Sequence, residues 1–83
     1  AELLRADAFI ARNQLNEAVQ ALELASRGAT SDDLRAEIEL RIGLVQFQQR
    51  ELVLAAESFS RAAQRSPKIR AIATYNAALS WLF

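Results

Sequence analysis

Apolar residues recur along this chain at the three- and four-residue intervals of helices, in five blocks separated by short polar or turn-forming stretches. Leu3, Ala6, Phe9 and Ile10 predict a first helix over about 2–12. Asn13-Gln14-Leu15 interrupts it, and Asn13, which tolerates the left-handed conformation, is the expected C-terminal cap. Ala18, Leu22 and Ala25 share one stripe of a second helix over about 16–27, with Asn16 suited to cap its start and Gly28 to end it. In "GATSDDL" Thr30 or Ser31 is the expected cap of a third helix, and Asp32 and Asp33 in its first turn complement the helix dipole. That helix, over about 32–49, carries apolar residues round most of its circumference, which marks an element with neighbours on several sides. A turn near 49–51 leads to a fourth helix with Leu52, Ala55, Ala56, Phe59, Ala62 and Ala63, ended by Ser66-Pro67. The fifth, over about 68–83, is still strongly apolar where the sequence stops.

A shift of 37 residues lays the chain on itself: Ala6, Ala18, Leu22 and Ala25 fall on Gly43, Ala55, Phe59 and Ala62, small on small and large on large. This is a repeated helical hairpin. Two helices approach closely only where one offers a small side chain, and the larger residue a turn away fills the hole beside it.

The pattern resembles the tetratricopeptide repeat family, in which a large and a small residue, an aromatic, an alanine, a second aromatic, another alanine and a closing proline recur in order. Ile42-Gly43, Ala55, Phe59, Ala62 and Pro67 follow that order and spacing. The first hairpin matches through Ala6, Phe9, Ala18, Leu22 and Ala25, and "YNAALSWL" is similar to the opening helix of a third unit, with Ala78 as its small residue and Trp81 as its aromatic. Three departures stand out: the spacing of 37 exceeds the family's usual 34, placed as an insertion in 28–33; Glu39 and Gln46 stand where aromatics are usual; and Arg50 takes a turn position that prefers glycine. The resemblance implies an all-α, right-handed superhelix of about five helices in one domain, with hairpins over 1–30 and 31–67 and a truncated third unit over 68–83. A related α-solenoid or a plain five-helix bundle is the competing architecture.

The same resemblance implies a concave groove lined by the first helix of each pair, here Leu3, Asp7 and Ile10; Leu40, Arg41, Leu44 and Phe47; and Tyr75, Asn76 and Leu79. Such a groove accepts an apolar segment of a protein partner. The competing reading is that Leu40, Leu44 and Tyr75 bury one another between neighbouring units. Grip on a C-terminal carboxylate, known in one subgroup, lacks its lysines: only Arg41 and Asn76 are suitable polar groups.

Composition narrows the function further. Neither cysteine nor histidine is present among the 83 residues, which removes thiolate chemistry and the commonest general base and metal ligand. No catalytic residue, metal site or cofactor is expected. Ten basic and ten acidic residues cancel, yet Arg61, Arg65, Lys68 and Arg70 lie in a stretch, 58–83, with no acid. A nucleic-acid role for them lacks interleaved aromatics and overall basicity. No apolar run approaches the roughly 18 residues that span a bilayer. A chain that begins at Ala1 and lacks methionine is expected to be a piece of a longer one. The expected function is a non-catalytic protein-protein interaction module; the alternatives are self-association through the apolar last helix and, below both, a nucleic-acid-associated regulator. Nothing in the residues points to a compartment.

Overall fold

The computed structural model describes residues 2–83. Its five helices are α1 (Glu2–Ala11), α2 (Leu15–Arg27), α3 (Asp32–Gln48), α4 (Leu52–Arg65) and α5 (Arg70–Leu82), and the described residues contain no strand. Sequential helices pack on one another, α1 on α2, α2 on α3, α3 on α4 and α4 on α5, and α3 also touches α1. The fold is therefore all-α and built of adjacent hairpins.

The two hairpin turns are the same turn. Asn13 and Arg50 both adopt positive φ, 59° and 65°. In the first, the Gln14 N–H donates to the Phe9 carbonyl at 2.8 Å and the Asn13 N–H to that of Ile10 at 3.0 Å; in the second, Glu51 donates to Gln46 at 2.9 Å and Arg50 to Phe47 at 3.0 Å. These are paired Schellman closures, in which a left-handed residue lets the last carbonyls of a helix find donors. Each turn then leads straight into the next helix through nearly identical backbone angles, φ −92°, ψ 75° at Gln14 and φ −86°, ψ 72° at Glu51. Asn16, expected to cap α2, lies inside it, because the turn leaves no intervening residue for a side-chain cap.

The link between hairpins behaves differently. Gly28 ends α2, as expected, but at φ −95°, outside the left-handed region; its N–H donates to the Ala25 carbonyl at 3.2 Å. Ser31 then caps α3, its Oγ accepting from the Leu34 N–H at 3.1 Å. Ser66 is extended (φ −139°, ψ 121°), as a residue before proline should be, and Pro67-Lys68-Ile69 form a turn, so α5 starts at Arg70, two residues later than expected.

Between Asp33 and Phe47 only Arg35 is exposed, so α3 is covered on nearly every side. Ala6, Ala18, Ala21, Leu22, Ile38 and Val45 form one buried cluster, and Ala55, Phe59 and Ala77 a second. Alanine dominates both because close helix approach leaves room for little else. Gly43 and Ala62 are also buried, and Ala25 is half-buried against the first cluster. Ala78, expected as the small packing residue of the third unit, does not take that place. It is exposed, and Ala77 holds the buried place beside Phe59, because successive helical residues point about 100° apart. Ala77 lies 34 residues after Gly43, the interval that reading from Ala78 misses by one.

Candidate interaction surface

α3, α4 and α5 enclose a cleft of about 220 Å³ lined by Leu44 and Phe47, by Phe59 and by Asn76 and Leu79. Apart from the Asn76 amide its walls are apolar. Phe83, just past α5, sets its ring edge-on to Phe47, centroids 5.9 Å apart. Leu40 packs half-buried on the same cluster as Leu44 and Phe47.

The other expected groove residues separate. Leu3 and Ile10 are half-buried against the first core cluster. Tyr75 is exposed and does not line the cleft. Asp7 and Arg41 satisfy each other: Arg41 donates from Nε to Asp7 Oδ1 at 2.7 Å and from Nη2 to Oδ2 at 3.2 Å, while its Nη1 reaches the Glu37 carbonyl at 3.2 Å. A fork of this kind fixes α1 to α3 and leaves few donors for a ligand. Trp81 is exposed, and Pro67 sits on the surface at the turn.

The cations of the acid-free stretch are engaged as well. Arg61 donates from Nε to Glu39 Oε2 at 2.7 Å, and Arg65 pairs with the other oxygen of the same carboxylate. Arg61 Nη2 also reaches Ser58 Oγ at 3.1 Å, and Ser58 donates to Gln46 Oε1 at 2.6 Å. Glu39 and Gln46, the residues that stand where aromatics were expected, are thus joined through α4 by one polar network on the α3–α4 face. Lys68 Nζ lies 3.2 Å from Asp33 Oδ2, Ser66 Oγ donates to Asp33 Oδ1 at 2.6 Å, and Arg70 Nε donates to the Ala63 carbonyl at 3.1 Å. The Ser66 hydroxyl, and after it Lys68, hold the Asp33 carboxyl below the ordinary aspartate value.

Sequence reasoning missed this network because its members lie 12–26 residues apart. The available signal was spacing: Glu39 and Gln46 fall seven apart on one stripe of α3, and Arg61 and Arg65 four apart on one stripe of α4. Also unforeseen is a slot of about 280 Å³ between α2, α3 and α4, with Val19, Ile42, Val45 and Leu54 in its walls and Glu23 and Glu51 at its polar margin. Among the described residues no three acidic side chains gather into a metal-holding group, and no helix is long and apolar enough to cross a membrane.

Comparison with protein-family models, with curated proteins and with solved structures finds no match to this chain.

Proposed function

We propose that this chain is a non-catalytic protein-protein interaction module of tetratricopeptide-like hairpins wound into a right-handed superhelix, and that the α3–α5 cleft takes an apolar side chain from a partner segment. The cleft itself carries the reading: Leu44, Phe47, Phe59 and Leu79 converge around one amide, Asn76. About 220 Å³ is below the range of small-molecule pockets, roughly 300–1,000 Å³, and suits an anchoring residue of a peptide. The repeat assignment draws support from the twin turns 37 residues apart and from the interval of 34 between Gly43 and Ala77. A nucleic-acid role is disfavoured by the engagement of Arg61, Arg65, Lys68 and Arg70 within the protein itself.

A display library of random peptides selected on the immobilised chain tests this. Enriched peptides should carry a bulky apolar residue, perturb the NMR signals of Leu44, Phe47 and Leu79, and lose at least tenfold in affinity to the variant Leu44→Glu. Peptides that instead map to Val19 and Leu54, or a selection that enriches charged sequences, would overturn the assignment of the cleft.

A further inference from the structure

Among the described residues, exposed large apolar side chains gather on α5. From Ala71 to Phe83 there is no charged residue. Ile72, Tyr75, Trp81 and Leu82 remain 53%, 63%, 65% and 79% exposed. Those fractions leave several hundred Å² in water, within the range of about 300–600 Å² for the largest patch on a typical monomer. Ala71, Thr74 and Ala78 are exposed on the same face and extend it. A stable interface takes about 800 Å² from each partner.

The order of residues identifies what fits. Ala71, Tyr75, Ala78 and Leu82 form the centre line of the exposed face, alternating small, large, small, large at helical spacing. An antiparallel copy related by a twofold axis sets Ala71 opposite Leu82 and Tyr75 opposite Ala78, so that every large side chain meets a small one at both ends of the contact. A parallel copy sets alanine on alanine and leaves voids. No charge on either face opposes the pairing, and none is present to select an oppositely charged partner. We infer that α5 pairs antiparallel with α5 of a second copy of this chain. The interface is isologous, with the same face used by both copies.

Sedimentation equilibrium tests it directly. A face smaller than the standard of about 800 Å² per partner makes a weak, reversible contact, so a mass of two chains is expected at about 100 µM. The emission of Trp81, the single tryptophan, should shift to the blue as the dimer forms. Leu82→Glu and Ala71→Lys alter exposed positions and should leave the helical circular dichroism unchanged while weakening association at least tenfold each. The combined A71K/L82E variant should regain association, because the two charges face each other only across antiparallel copies. A wild-type monomer at about 1 mM, a species larger than a dimer, or a combined variant no better than its parents would overturn the inference.

Discussion

The ring of Phe59 occupies the space that a side chain at Gly43 would need. A Cβ built on Gly43 falls 2.6 Å from Phe59 Cε1 and 2.7 Å from Cδ1, closer than real contacts come. Phe59 is buried on α4, and the missing side chain is what lets α3 lie against it.

Two effects therefore compete at Gly43→Ala. Alanine should strengthen the middle of a helix by about 1 kcal/mol, whereas forcing a methyl into a filled core costs typically 1–3 kcal/mol. Because the obstacle is a buried ring, overpacking wins, and urea denaturation should show a net loss of roughly 1 kcal/mol. Adding Phe59→Leu should recover part of it; a stabilised single variant would contradict the packing described.

Arg50 and Asn13 supply a second comparison. Both hold positive φ, but asparagine tolerates this and arginine does not. Arg50→Gly should stabilise the chain, by up to about 1 kcal/mol after the flexibility added to the unfolded state is set against the relieved strain. Asn13→Gly should change it by less. Equal effects in thermal melts would show that the turn carries no strain at Arg50.

Much of this fold was legible in the residues. Helix ends were marked by Asn13, Ser31 and Pro67, and the interval of 37 by the pairing of Ala6 with Gly43 and Leu22 with Phe59. Register in α5 was not, because Ala77 and Ala78 are adjacent and identical, and only the contact with Phe59 distinguishes them. The cleft was half legible: Leu44, Phe47, Asn76 and Leu79 meet, while Asp7 and Arg41 turn to each other. Whether a polar side chain faces a ligand or its own neighbour depends on helix placement, which periodicity does not specify.

Glu39 is mostly buried, and two half-exposed arginines close on it. Breaking a buried pair costs about 3–5 kcal/mol, but exposure of the guanidinium groups screens this one, so Glu39→Gln should cost roughly 1–2 kcal/mol. Denaturation at low and at molar salt checks it. A loss confined to low salt would mean that Glu39 acts only through long-range charge.

Asp33 sets a pH dependence. Its folded pKa lies below the unfolded value, so the contact with Ser66 and Lys68 stabilises the protein above about pH 4, and this contribution fades as pH falls toward the folded pKa. Asp33→Asn should therefore be less stable than wild type near neutrality, with the gap between their urea midpoints closing on acidification. A gap that is constant down to about pH 2 would remove the carboxylate from the account.

The enclosure of α3 has a consequence in time. Its backbone amides exchange with solvent only when both flanking layers open, whereas α1 packs on one side alone. Deuterium should therefore enter α1 first and reach Ile38 to Val45 last, at a rate set by global unfolding.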